Sequence, residues 1–442
     1  MAISNPAAVL RSGLTPLSGG PRDLDPLVDR IGDASFVLLG EASHGTHEFY
    51  RMRAEITKRL IVERGFTAVA VEADWPDAHR VHRYVIGASE DESATEALRA
   101  FQRFPRWMWR NAEVLDFIQW LREYNDRFAG REQRAGFYGL DLYSLHASRD
   151  AVLTYLTKAD PAMAAHARER YSCFEHVGGD LHDYGVRAAL GEISSCEEDA
   201  IAQLEEIREL EVRNAIAEDH SDDLFFAEQN ARLIVSADAY YRSVFKGRSA
   251  GWNIRDTHMA DTLDVLVDYL QKKHQRRKVV VWEHNSHLGD ARATSMGGRE
   301  CNVGQLVRER YGAENVVLVG FTTFDGTVTA ANTWDTAAEK KRIVPAVEGS
   351  WESLFHKVGV PAFMLRADHP KVEHVLRASR LERAIGVIYR PMTERISHYF
   401  DAWIGKQFDV VIHVDRTQAV EPLDSIAGWK TSDAPDTYPF AV

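Results

Sequence analysis

Ser35-Phe36-Val37-Leu38-Leu39-Gly40, a helical stretch from His47 to Arg64, and then Thr67-Ala68-Val69-Ala70-Val71 form the run that decides the fold. Between the two apolar segments Phe49, Met52, Ile56 and Leu60 recur at helical spacing, and Gly65 closes the helix. The apolar segments are uninterrupted and rich in Val, the pattern of strands covered on both faces. The unit is therefore strand, helix, strand. Similar runs follow at Gly136 to Leu140 (GFYGL), Lys278 to Trp282 (KVVVW), Asn315 to Phe321 (NVVLVGF), Ala384 to Tyr389 (AIGVIY) and Phe408 to Val414 (FDVVIHV). Strands separated by helical stretches predict an α/β fold with a largely parallel central sheet flanked by helices.

The chain has 442 residues, 45% hydrophobic and 27% charged, which is the balance of a globular protein with ample length to bury a core. From Ser148 to Lys273 no strand pattern occurs, while Glu197 to Glu211 and Leu224 to Phe245 are helical in period. The expected organisation is an α/β core over residues 1–147 and 274–442, with a helical insertion over 148–273. An inserted lobe above a sheet commonly forms one wall of a cleft, here lined by Trp107, Trp109 and Tyr171 unless these are ordinary core. The tail after Pro422 reads as loop.

With Lys plus Arg at 53 and Asp plus Glu at 66, the net charge is -13, which argues against a general nucleic-acid binder because phosphates need a basic face. Cys173, Cys196 and Cys301 are odd in number and form no C-x-x-C, which fits a reducing compartment and no zinc knuckle. Met1 to Pro26 lacks a basic segment followed by an apolar one, and no apolar run approaches the ~18 residues of a membrane span. The expectation is a soluble cytoplasmic protein without membrane or nucleic-acid partners. Nothing in the residues specifies an oligomeric state.

In parallel α/β sheets ligands bind outside the carboxyl ends of the strands. The first run leads into Glu41-Ala42-Ser43-His44-Gly45-Thr46-His47 and the second into Glu72-Ala73-Asp74-Trp75-Pro76; the third leads into Asp141 and the fourth into Glu283-His284-Asn285-Ser286-His287. Four strands thus deliver carboxylates and imidazoles to one edge. Glu72 continues an apolar strand, and a carboxylate buried there has to be paired or hydrogen-bonded. Arg53 lies towards the apolar face of its helix, where it either reaches past that face to water or turns its guanidinium onto Glu41 or Glu72. His284 and His287 need not face the same way, and Asn285 is placed to hold a turn between them.

A histidine oriented by a carboxylate is a general base near neutral pH. Glu41 stands three residues ahead of His44 on a strand-to-helix turn, and Gly45 allows close backbone approach. Water deprotonated by His44 could attack a carbonyl whose oxyanion is stabilised by the helix N-terminus, Arg53 or a second histidine. That is ester hydrolysis without a covalent intermediate. The rival reading is metal, since Glu41, His44, Glu72, His284 and His287 are acceptable ligands for zinc, manganese or iron, although no H-E-x-x-H helix occurs and Arg53 opposes a dense cation site. Gly247-Arg248-Ser249-Ala250-Gly251 fits G-x-S-x-G, but a helical stretch precedes it where a nucleophile elbow needs a strand. No phosphate-binding glycine loop appears, and no cofactor is expected.

Taken together, Leu39-Gly40-Glu41-Ala42-Ser43-His44-Gly45-Thr46, the helix with Arg53, Glu72 after its strand, Gly139-Leu140-Asp141-Leu142-Tyr143 and Trp282-Glu283-His284-Asn285-Ser286-His287 resemble the erythromycin esterase family over residues 30 to 420. The resemblance implies an α/β fold with helices forming a deep cleft, and hydrolysis of a cyclic or linear ester by activated water; a macrolactone is one candidate substrate, and membership does not by itself imply macrolide breakdown. It maps the general base to His44, assisting carboxylates to Glu41 and Glu72, the arginine to Arg53, and further histidines to His284 and His287. Asp141, Arg255 and His287 are the expected substrate contacts, with a small-molecule ester as substrate; Arg255 and Asp256 either line the cleft or make a structural ion pair. Relatives linked to polysaccharide biosynthesis, and haem-binding or metal-dependent proteins of similar fold, define the alternatives of a non-hydrolytic or metal- or haem-binding role.

Overall fold

A computed structural model of the chain describes residues 5–130, 133–177, 181–216, 222–243, 247–275 and 278–424. The tail read as loop lies, from residue 425 onward, outside the described residues. The strands in chain order are β1 (Thr15–Pro16), β2 (Phe36–Leu39), β3 (Ala68–Asp74), β4 (Gly136–Asp141), β5 (Val279–Trp282), β6 (Val316–Ala331), β7 (Ala338–Ile343), β8 (Ala362–Arg366), β9 (Arg380–Arg383), β10 (Tyr399–Ala402) and β11 (Val410–Thr417). All but β9 and β10 form a nine-stranded sheet in the order β1-β8-β11-β6-β2-β5-β3-β4, with β7 added to β6. β2 runs parallel to β5 and β6, and β11 parallel to β6. β1, β7 and β8 pair antiparallel at one side of the sheet. The fold is therefore α/β with a mostly parallel sheet.

The deciding unit forms as the pattern requires. Every residue of β2 and β3 is buried, and the helix between them spans His47–Arg64. β3 continues to Asp74, so Glu72 lies inside the strand rather than after it. One expected strand is absent: Ala384 to Tyr389 makes only single bridges, Ile385 to Ser43 and Ile388 to Ala331. The run is apolar because Ile385 and Tyr389 are buried, and burial rather than strand pairing produced the pattern.

Contacts divide the chain into two units, one of Met1–Ala70, Val81–Phe137 and Val267–Val442, the other of Val71–Arg80 and Tyr138–Leu266. In the first, Trp282 Nε1 donates to Thr57 Oγ1 at 2.9 Å, fixing the end of β5 against the His47–Arg64 helix. Trp107 and Trp109 are buried. In the second, the elements from Leu145 to Leu266 are helical, and Trp75, Tyr138, Phe225 and Phe226 form an aromatic core with ring centres 5.3 to 6.4 Å apart. Tyr171 is buried there. Cys173 and Cys196, read as thiols of a reducing compartment, are joined in a disulfide, with Cys301 outside the bridge. Ser249 sits in the first turn of the helix Arg248–His274, which follows the helix Asp222–Ser243, so no nucleophile elbow forms. Among the described residues no helix is long and apolar enough to cross a membrane.

The first unit also buries a charged cluster. Arg383 donates through Nη1 and Nη2 to the carbonyls of Thr323, Phe324 and Val344, and pairs through Nε with Glu394 at 2.8 Å, while its backbone N–H donates to Glu352. Beside it, burial and then the neighbouring Glu352 push the Glu382 carboxyl up to about 8. The folded state therefore holds a proton that the unfolded state gives up above the ordinary carboxylate range, and Glu382 costs stability increasingly as pH rises towards 8. Glu382→Gln removes that titration. The variant should gain on wild type between pH 5 and pH 8 by on the order of a few kcal/mol in urea unfolding; an advantage that is the same at both pH values would show that Glu382 does not titrate in this window.

Candidate active site

The loop after β2 is pressed against β6 because Gly45 has no side chain: a Cβ there would collide with the Thr329 carbonyl. The Gly45 carbonyl accepts from Thr329 N at 3.0 Å and Val420 N at 2.9 Å, and Ser43 and Thr46 hydroxyls bond across the turn. This places His44 three residues before an 18-residue helix. His44 Nδ1 lies 2.9 Å from Glu41 Oε1, and Arg53 Nη2 lies 2.8 Å from Glu41 Oε2. Of the two partners the sequence left open for Arg53, the structure supplies Glu41. Glu41 is 1% and Arg53 0% exposed, so the pair is fully withdrawn from water. The guanidinium is stacked 4.3 Å from the Tyr50 ring centre and 5.2 Å from that of Trp282, faces that favour a cation.

His284 caps the short helix Asn285–Leu288, and its ring centre lies 4.9 Å from that of His44. Its Nδ1 accepts from Ser286 N at 3.2 Å and lies 2.8 Å from Ser286 Oγ. The hydrogen-bond network assigns complementary tautomers. His44, donating through Nδ1 to Glu41, has its acceptor lone pair on Nε2; His284, accepting at Nδ1, carries its proton on Nε2. One imidazole is thus set to take a proton and its neighbour to donate a hydrogen bond. His287 is buried, with its backbone N–H on the His284 carbonyl at 2.9 Å.

Arg53 needs its planar fork as well as its charge here. Arg53→Lys should lose about 1–3 kcal/mol of stability, because an ammonium cannot stack on both rings while reaching Glu41. Urea unfolding checks this, and a lysine variant as stable as wild type would mean the two rings contribute nothing specific.

The second unit holds the other predicted residues. Arg255 Nε donates to Asp141 Oδ1 at 2.9 Å, and its Nη2 donates to Asp141 Oδ2 and Glu72 Oε1, both at 2.7 Å. Its guanidinium lies 5.0 Å from the Tyr143 ring centre, and Tyr143 Oη is 3.2 Å from Tyr240 Oη. Burial opposes the Arg255 charge, but Asp141, Tyr143 and Glu72 hold its proton well above the ordinary arginine range. Burial drives the Tyr143 hydroxyl upward, with Arg255 opposing. Nearby, burial pushes His258 down to about 4 against the pull of Asp141, so this imidazole is neutral at physiological pH. Glu72 was expected to need a partner, and Arg255 supplies one; a separation of 183 positions gave no signal of the pairing. Tyr50 was missed too, although its position three residues before Arg53 on one helix could have found it. Among the described residues no group of three or more His, Cys, Asp or Glu is arranged to hold a metal ion.

Fold and site together define an α/β protein with a carboxylate–imidazole dyad at the carboxyl end of a parallel strand. The chain belongs to the erythromycin esterase family, whose model matches residues 61–417, and membership suggests an ester hydrolase. Glu72, Asp141, Arg255, His284 and His287 fall inside the match, while Glu41, His44 and Arg53 precede it. A curated relative, erythromycin esterase type II of Escherichia coli, is 23% identical over 322 residues, 70% of this chain and 73% of the relative. Among solved structures, one described as a succinoglycan biosynthesis protein superposes with a TM-score of 0.76 at 23% identity, covering 95% of this chain and 98% of that one. A second, a protein from Bacillus cereus, gives 0.75 at 20% identity with the same coverage. A mutant of the erythromycin esterase EreC in its open conformation gives 0.63 at 18%, covering 91% and 96%. These likenesses support the fold.

Proposed function

We propose that the chain hydrolyses a small-molecule carbonyl ester with a water activated by His44, without a covalent enzyme intermediate. The observation that carries this reading is the buried relay in which Glu41 bridges His44 Nδ1 and Arg53. In such a relay Glu41 fixes the tautomer and stabilises the imidazolium that forms as His44 Nε2 takes the proton of water; when the tetrahedral intermediate collapses and the ester C–O bond breaks, the imidazolium returns that proton to the departing alcohol and the acid is released. His284, protonated on Nε2, supplies a hydrogen bond to the oxyanion of the attacked carbonyl. The family resemblance gives Glu72 the role of second assisting carboxylate, and our reading of the sequence makes Asp141 and His287 substrate contacts; in Arg255 the donors Nε and Nη2 are engaged by Asp141 and Glu72, which supports its reading as an ion-pair partner that holds those two carboxylates.

The test is turnover of 4-nitrophenyl esters, macrolactones and acylated saccharides by wild type and His44→Ala, each with and without EDTA and with metal analysis of the protein. The macrolactones follow from the relatives called erythromycin esterases, and the acylated saccharides from the one called a succinoglycan biosynthesis protein. Cleavage that survives EDTA and disappears in the variant supports the proposal. Stoichiometric metal with EDTA-sensitive turnover, or no turnover of any ester, overturns it.

A further inference from the structure

Asn285, between the two histidines of the β5 loop, is fully buried and bonded at every polar atom. Its backbone N–H donates to the Glu41 carbonyl at 2.8 Å, and its own carbonyl accepts from Gly289 N at 2.8 Å. Its side chain takes both backbone groups of one β6 residue: Nδ2 donates to Phe321 O at 2.7 Å, and Oδ1 accepts from Phe321 N at 3.2 Å. Nδ2 also donates to Glu382 Oε1 at 3.3 Å. The amide therefore acts as an extra ladder rung just where β2 has ended, Gly40 N having made the last bond of that edge to Val319 O at 2.8 Å. Gly40 leaves the space, since a Cβ there would collide with Asn285 Oδ1.

From this geometry we infer that Asn285 is a positioning residue, setting the separation of Glu41 and His284 and through them the 4.9 Å spacing and tilted approach of the His44 and His284 rings. A neutral amide presents the donor and acceptor that Phe321 requires at the same time, whereas an ionised carboxylate accepts only and cannot donate. A shift of Asn285 moves Glu41 through its carbonyl and His284 through the chain, so one displacement misaligns base and oxyanion donor together. The side chain stands apart from the reacting atoms and acts only through its neighbours.

The kinetic part of the test rests on the hydrolase reading; the spectroscopic part does not. Asn285→Asp, Asn285→Ala and Gly40→Ala are compared with wild type by 4-nitrophenyl acetate hydrolysis and by imidazole ¹⁵N NMR, with the His44 signals assigned from His44→Gln. Misplacement on the scale of 1 Å should lower kcat by about 100-fold while KM stays within about threefold. The ¹⁵N shifts of His44 and His284 should move in all three variants, least in Gly40→Ala, which disturbs the contact without touching Asn285. Thermal melting and circular dichroism identify variants that fold, and Gly40→Ala carries the test if the Asn285 variants do not. If wild type cleaves no ester but the imidazole shifts still move, the positioning inference stands and the hydrolase reading falls. Folded variants with wild-type imidazole spectra overturn it, whatever their activity.

Discussion

Replacement of His44 by alanine should lower kcat for ester hydrolysis by about 10²–10⁴-fold, the range supplied by a positioned general base, with stability changed by no more than about 1–2 kcal/mol. The asymmetry follows from the relay. His44 is 6% exposed at the end of a loop, and its loss leaves the buried Glu41–Arg53 pair in place, so the most expensive element of the site keeps its charge balance. His44→Gln sharpens the result. A glutamine amide keeps a hydrogen bond to Glu41 but has no nitrogen that can accept a proton from water. If the imidazole is the base, both variants fall to the same floor. If glutamine restores much of the rate, the side chain only positions water, and the base lies elsewhere. Steady-state kinetics beside urea unfolding of the same preparations gives both numbers.

The elements behind that prediction were legible because local rules govern them. The helix His47–Arg64 follows from the spacing of Phe49, Met52, Ile56 and Leu60, and that spacing alone put Arg53 on the buried face. Glu41 and His44 share one turn after a strand, so their contact needed no long-range information. What escaped the sequence was pairing between distant segments. The apolar run Ala384 to Tyr389 reported its burial correctly and its structure wrongly, because periodicity senses what is hidden from water and not which backbone groups meet. β8 (Ala362–Arg366), lying antiparallel between β1 and β11, gave too short and mixed a signal to be read. Arg255 sits in a helix of unremarkable pattern, and its partners come from two strands 183 and 114 residues away. Asn285 was visible as a turn residue, but its bonds to Phe321 and Glu382 were not.

Removing Arg255 should have the largest effect on stability. Arg255→Met keeps the length of the stem and deletes the cation that Asp141 and Glu72 share, both of them buried carboxylates. Breaking a buried ion pair by taking one partner costs about 3–5 kcal/mol, because the remaining charge keeps its desolvation penalty without its Coulombic return. Here two charges are left facing one another. Their proton affinity must rise in the variant, through burial and mutual repulsion. The sign follows: with folded-state carboxyl pKa values raised above the unfolded ones, the variant loses stability as pH rises through the carboxylate range and above it. The deficit against wild type should therefore be widest at pH 8 and shrink towards pH 4, where protonation relieves the repulsion. Adding Glu72→Gln and Asp141→Asn to the variant should recover part of the loss at pH 8, since neutral amides replace two neighbouring like charges. Urea unfolding at both pH values decides it. A deficit below about 1 kcal/mol, the scale of an exposed salt bridge, or one that does not change with pH, would mean that the two carboxylates find other compensation and that Arg255 is not the keystone of this cluster.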